Sequence, residues 1–259
     1  MNNCTAPLTL LKSLSSLFSL VCITILCFSQ SSYAQQKLLI VTDDGPPHMI
    51  QAMDSGIDVD IARGILHQLN YDTQMHYAPL HRSRQLVING VYDVFLPTFK
   101  QQDTKQLYFS KPFIQYRPTV FSLSKNQLDI ESIDDLKHYN VVSFQGATGY
   151  FGKQFQQAVK LGKYRELHDM SAFPELLLKG RTQVVVLDYY IFFYYLQKYI
   201  GFQQEHNIKV HSIIPPVNAH VGFNDKALRD KFNQQLELYN AQGHVERIIS
   251  QYIGENHSN

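Results

Sequence analysis

The sequence predicts an α/β fold built on largely parallel sheets, and three observations lead there. Short apolar runs such as "KLLIVT" (37–42) and "VVVL" (184–187) alternate with stretches whose apolar residues recur at helical spacing. "VVVL" is continuously apolar, the pattern of a strand buried on both faces. Turn clusters such as "DDGPP" (43–47), and glycines at 90, 180 and 243, punctuate the alternation.

The elements follow in order. After the strand 37–42, "IDVDIARGILHQL" sets Ile57, Ile61, Ile65 and Leu69 four apart on one helical face. "RSRQLVING" predicts a helix stopped at Gly90, and "YDVFL" (92–96) a strand. "PTVFSLS" (118–124) reads as a strand, "DDLKHY" as a short helix and "NVVSF" (140–144) as a strand. Helices are expected in "GYFGKQFQQAVKLG" (149–162) and "FPELLLKG" (173–180), the latter closed by Gly180. Next come "VVVL", a tyrosine-rich helix from Tyr189, and the strand "IKVHSII" (208–214). Two helices, "KALRDKFNQQLELYNAQG" (226–243) and "HVERIISQYI" (244–253), finish the chain.

Residues 1–34 read as a signal peptide. Lys12 supplies the positive start, Leu14 to Phe28 is uncharged and apolar, and "SSYA" offers Ser32 and Ala34 before a cut. The mature chain would begin at Gln35, outside the cytoplasm, with an uncleaved anchor as the alternative. Cys22 and Cys27 follow Val21 and Leu26 rather than the small residue of a lipoprotein site. All three cysteines fall in this leader, so no disulfide is expected; about 225 residues remain, enough for a large core without staples. Of 23 basic residues only Lys12 lies there, leaving 22 against 22 acidic, with no basic run to suit nucleic acid. "VVVLDYYIFFYYL" is interrupted by Asp188 and falls far short of the ~20 residues that span a bilayer.

Asp188 poses the sharpest question. A buried strand ends in a charge only where something meets it, because an unpaired carboxylate in low dielectric is costly. In parallel α/β sheets the ligand crevice lies beyond the carboxyl ends of the strands, which is where Asp188 stands. The alternative role is the N-cap of the helix that follows.

Several ordered landmarks carry a family resemblance. "TDDGPPH" matches a first strand and its turn, "GIDVDIARGILHQL" a "G-F-D-V-D-L-A" helix opening, and "INGVYDV" a "G-x-x-D" strand entry. "YFSKPF" matches "D-F-S-x-P-Y", "VVSFQGATG" matches "V-G-V-Q-x-G-S-T", and "LLLKGRTQVVVLD" matches "L-x-x-G-x-x-D-A-x-x-x-D". The mature chain thereby resembles the family 3 extracellular solute-binding proteins, the polar amino-acid-binding receptors of ABC importers. The resemblance implies a two-lobed periplasmic binding protein fold of type II, each lobe a mainly parallel sheet flanked by helices, with two crossing strands. Lobe 1 would comprise residues 35–120 plus 220–259 and lobe 2 residues 121–219, hinged around the ligand.

The resemblance also implies site residues. Asp188 aligns with the acid that holds a ligand ammonium, a contact of about 1.5–3 kcal/mol. Thr148 falls at a ligand-hydroxyl position in "QGATGYFG", a strand-to-helix turn whose free N–H groups attract a carboxylate. The family's carboxylate-binding arginine is missing from "PTFKQQDTKQL", where Lys105 or Asp103 takes its place depending on the side counted from. Lysine lacks the two-point grip of a guanidinium. Arg82 in "APLHRSR" is a substitute or, with Arg84, a solvated helix face. Thr98 and Lys100 occupy strand-end positions that face ligand, and His48 stands where an aromatic packs on it or forms a surface turn. Tyr116 and Phe144 are expected as cleft walls or core, and the tyrosine-rich helix mainly as packing.

No metal or cofactor site is expected: the eleven histidines form no H-x-x-x-H pair and no cysteine accompanies them. No G-x-S-x-G elbow is present, and no glutamate lies in the expected cleft-lining stretches. The leading reading is a monomeric periplasmic receptor that captures a small polar, amine-bearing solute for an ABC permease, without enzymatic activity. Two other readings stay open. One is an exported dehydratase-like enzyme on the same fold, working through Asp188, His48 and a lysine. The other is a receptor that docks on a membrane sensor.

Overall fold

The computed structural model describes residues 35–99 and 102–255. The expected signal peptide, with its cysteines, and Lys100 lie outside the described residues. The chain begins with β1 (Gln36–Thr42), α1 (Ile57–Gln68), β2 (Tyr71–Tyr77), α2 (Leu80–Ile88) and β3 (Val94–Thr98). The short strands β4 (Tyr108–Phe109) and β5 (Ile114–Tyr116) lead into β6 (Pro118–Leu123). Then come β7 (Asn140–Phe144), α3 (Ala147–Lys160), β8 (Lys163–Leu167), α4 (Phe173–Leu178), β9 (Val184–Asp188), α5 (Tyr189–Tyr199) and β10 (Ile208–His211). The return is β11 (Val217–Phe223), α6 (Lys226–Ala241) and α7 (His244–Ile253).

Two sheets result. The first runs β2-β1-β3-β11-β4, with β5 also on β11, and the second runs β10-β6-β9-β7-β8. β1 and β3 are parallel, as are β7 with β8 and with β9. The strands that carry the chain between lobes pair antiparallel: β6 on β9, and β11 on β3. The chain leaves the first sheet at Arg117, between β5 and β6, and returns through residues 212–216. The expected lobe limits, 120 and 220, fall inside the crossing strands β6 and β11.

The apolar residues explain the layers. Val184 to Leu187 are fully buried, as a central strand with helices on both faces requires. α1 presents Ile57, Ile61, Ala62 and Ile65 inward, against α6 and α7 as well as the sheet. The first aromatics of α5 pack inward, with Phe192 stacked on Phe121 of β6 at 3.9 Å and 10° between planes, while Tyr199 at the helix end is exposed. Among the described residues, no helix is long and apolar enough to cross a membrane.

Five strands escaped the sequence reading: the very short β4 and β5, and β2, β8 and β11. β2 and β8 lie at sheet edges, where "YDTQMHY" and "KYREL" carry polar side chains outward, a usual protection against edge pairing. β11 reads weakly because "VNAHVGF" mixes glycine, asparagine and histidine into a buried strand.

One turn aims the N-terminal lobe's contribution to the site. Gly56, with φ 140°, precedes α1 so closely to residue 48 that a Cβ would lie 2.4 Å from the His48 carbonyl oxygen. The first helical N–H groups are met by that loop, Ile57 donating to the Pro47 carbonyl at 2.9 Å and Asp58 to that of His48 at 3.0 Å. Gly56→Ala is therefore expected to lower unfolding free energy by about 2 kcal/mol or more, read from urea denaturation.

Candidate functional site

Asp188 ends β9 and caps α5. Its Oδ1 accepts from the backbone N–H of Tyr190 at 2.9 Å and of Ile191 at 3.3 Å, while Oδ2 accepts from Arg117 N–H at 2.7 Å. The capping role is thus present, and the same carboxylate lines a cavity between the lobes.

The charge has a partner within the chain. His48 Nε2 donates to Asp188 Oδ1 at 3.3 Å, and His48 Nδ1 donates to Asp58 Oδ1 at 2.8 Å. With a carboxylate on each side, both ring nitrogens carry hydrogen and the ring is an imidazolium. Burial alone pulls the His48 pKa down, but the charges and hydrogen bonds of Asp58 and Asp188 outweigh it and raise the value to about 9. His48 is 1% exposed and Asp58 0%. Tyr116 completes the group: its hydroxyl donates to Asp58 Oδ2 at 2.8 Å, and its ring stacks on His48 at 3.9 Å. The Tyr116 phenol is pushed well up by burial and by the charge of Asp58.

These contacts correct the expectation for His48. It is no surface turn: buried and outside the cavity lining, it bonds Asp58 on one side and Asp188 on the other. Asp58 had drawn no notice in the sequence. An acid in the first turn of a helix reads as a partner for the helix dipole; only the fold shows it facing His48.

The cavity has a volume of about 250 Å³. The N-terminal lobe supplies Met49, Leu80, Pro97 and Phe99, with Tyr116 at the crossing. The other lobe supplies Pro118, Phe144, Tyr150, Phe151, Met170, Leu187 and Ile191. Among the described residues, Asp188 is the one charged member of this lining, and it is 8% exposed. Tyr116 and Phe144, expected as cleft walls or core, border this cavity and also pack against the core. From α5 it is Ile191, not a tyrosine, that reaches the cavity. Phe99, Tyr150 and Phe151 were missed, because aromatics just past a strand end or inside a glycine-broken helix carry no pattern of their own.

The remaining candidates fall elsewhere. Thr148 does not face this cavity: its Oγ1 and N–H both donate to Glu166 Oε1 at 3.1 Å, and Gly146 N–H donates to Glu166 Oε2 at 2.8 Å. The expected carboxylate site at the start of α3 is thus filled by the chain's own carboxylate, and those N–H bonds hold the Glu166 pKa below its usual range. The glutamate comes from the edge strand β8, unread in the sequence. Arg82 is exposed on α2, and Leu80 takes the cavity edge. Lys105 is exposed and outside the lining; Asp103 pairs with Arg229 at 3.0 Å and accepts from Phe109 N–H. Thr98 is buried at the end of β3, opposite His220 of β11. No group of three or more metal-ligating side chains converges among the described residues.

Two outcomes follow. The fold holds the His48 proton more tightly than the unfolded chain, with its ordinary value of 6.5. Its stabilisation, on the order of 3 kcal/mol, is complete below pH 6.5 and lost as pH rises through about 9. Thermal melts of the wild type should thus fall across that window relative to His48→Gln, whose profile there stays flatter and whose stability at pH 6.5 is lower. Thr148→Val should leave solute affinity within about twofold of wild type by calorimetry while lowering the melting temperature, because the hydroxyl braces Glu166.

Residues 38–255 match the bacterial extracellular solute-binding proteins, family 3. No curated protein matches the sequence. The solved structure of the YckB protein from Bacillus subtilis superposes with a TM-score of 0.68 at 19% identity, covering 86% of this chain and 92% of that one. An ancestral cationic amino acid solute binding protein gives 0.66 at 18% identity, over 84% and 95%. The L-cystine solute receptor of Neisseria gonorrhoeae, unliganded and open, gives 0.66 at 16%, over 87% and 96%. At such identities these structures establish the type II periplasmic binding protein fold and nothing finer. With the family match running from the first strand to the last helix, the protein belongs to the family 3 bacterial extracellular solute-binding proteins.

Proposed function

We propose that the protein captures a small solute bearing an ammonium group between its lobes and delivers it, outside the cytoplasm, to the permease of an ABC importer. One observation carries the reading: a single carboxylate, Asp188, lies on the wall of a cavity otherwise lined by uncharged residues. Asp188 Oδ1 is taken by His48 and two N–H groups, whereas Oδ2 accepts only from Arg117 N–H, so acceptor capacity remains. Two carboxylates also share one imidazolium here, so a captured cation completes the balance of charge.

We favour an amine over an amino acid on the strength of the described lining. Among the described lining residues none is cationic, and the α3 N-terminus already holds Glu166. A ligand α-carboxylate would enter beside Asp188 without a partner. The supported class is an amine without a carboxylate. Nor do the walls suit a polar body, being built from methionine, leucine, isoleucine, proline and aromatic rings.

A thermal-shift screen of amines, polyamines and amino acids on the purified protein tests this. Amines are expected to raise the melting temperature and amino acids to do so less. Asp188→Asn should lose at least tenfold in amine affinity, about 1.4 kcal/mol, at unchanged far-ultraviolet ellipticity. Absence of a shift with every cation, in folded and ligand-free protein, overturns the proposal.

A further inference from the structure

We infer that the ammonium group this cavity selects is a methylated, quaternary one, held by aromatic faces rather than by hydrogen bonds; the inference rests on the function proposed above.

The first ground is a shortage of acceptors. A primary ammonium brings three N–H donors, each needing a partner once water is excluded. In the lining, Asp188 Oδ2 has room, and the Tyr150 hydroxyl can add one more acceptor. The Tyr116 hydroxyl is committed to Asp58. A quaternary nitrogen brings no N–H and presents methyl groups, which match walls of Met49, Leu80, Pro97, Leu187 and Ile191.

The second ground is the arrangement of the rings. Phe144 meets Tyr150 and Phe151 edge to face, at 5.6 and 5.5 Å between centroids and 71° between planes. Tyr150 and Phe151 stand at 82° to each other. From the other lobe, Phe99 stands at 88° to Tyr116. Phe144, Tyr150 and Phe151 from one lobe, with Phe99 and Tyr116, thus put several aromatic rings around one cavity, and a cation within about 6 Å of a ring centroid is attracted by its quadrupole. Both lobes contribute rings, so closure brings the walls around the ligand together.

The third ground is the sign of the potential. The Tyr150 phenol, on the cavity wall, is pushed up by burial and then by the charge of Asp188. Asp188 and Tyr150 border the same cavity, so the carboxylate charge and the phenol face one enclosed space. The Arg117 guanidinium lies over Tyr189, 4.2 Å from its centroid, and is not part of the lining.

Isothermal titration of the purified protein with matched compounds tests the inference. The trimethylammonium probes are tetramethylammonium, choline and benzyltrimethylammonium. Choline is compared with its uncharged tert-butyl isostere, 3,3-dimethyl-1-butanol, and with ethanolamine, which has the same chain and a primary amine. At least one trimethylammonium probe should bind, and choline roughly tenfold or more tighter than either comparator. Phe144→Leu and Tyr150→Leu should each weaken trimethylammonium binding several-fold while retaining native ellipticity. Ethanolamine binding as tightly as choline, or primary amines binding where no trimethylammonium probe does, overturns this inference and leaves the proposed function standing. The isostere binding as tightly as choline overturns both, since charge then plays no part. Undiminished choline binding in both leucine variants overturns the aromatic cage.

Discussion

An imidazolium clamped between two buried carboxylates is the constraint on which this site depends. Removing either neighbour would leave an unbalanced charge in a medium that cannot solvate it, and buried pairs broken on one side typically cost 3–5 kcal/mol. The trio also does geometric work. Asp58 lies in the first turn of α1, His48 in the loop whose carbonyls receive that helix's first N–H groups, and Asp188 at the junction of β9 and α5. Tyr116 stacks on the middle member and donates to the first, so the crossing segment is tied to the same group. Four parts of the chain, drawn from both lobes, are thereby fixed against one another at the base of the cavity.

Above that base the character changes from charge to carbon. The carboxylate is braced by three backbone N–H groups, which orient it without neutralising it, and the walls supply dispersion and ring faces. Such a division suits recognition of a cation that carries its own apolar cover. It suits poorly a zwitterion, which needs a second, opposite charge within reach: among the described residues the lining holds no cation, and the α3 N-terminus is engaged by Glu166.

Much of the architecture was legible beforehand because central strands and amphipathic helices leave strong periodic signatures. "VVVL", the α1 face and the two closing helices appeared where expected. Edge strands with polar flanks were not, because their alternation resembles surface loops. Of the residues around the cavity, Asp188 and Phe144 stood at the ends of strands that the sequence displayed, whereas Tyr116 ends a short strand that it did not. What could not be read was pairing across distance: 10 residues separate His48 from Asp58 and 140 separate it from Asp188. Nothing local in either segment announces the other. The same holds for Thr148 and Glu166, 18 apart, whose meeting turned an anticipated ligand contact into an internal brace.

That brace has a consequence of its own. A helix that holds its own side-chain anion at its N-terminus refuses an outside one, yet the refusal depends on one glutamate at the rim of a sheet. Exchange of Glu166 for a neutral residue would free the Gly146 and Thr148 amides and restore an anion seat without disturbing the interior. The N-terminal end of α3 is thus occupied only as long as that one carboxylate is present.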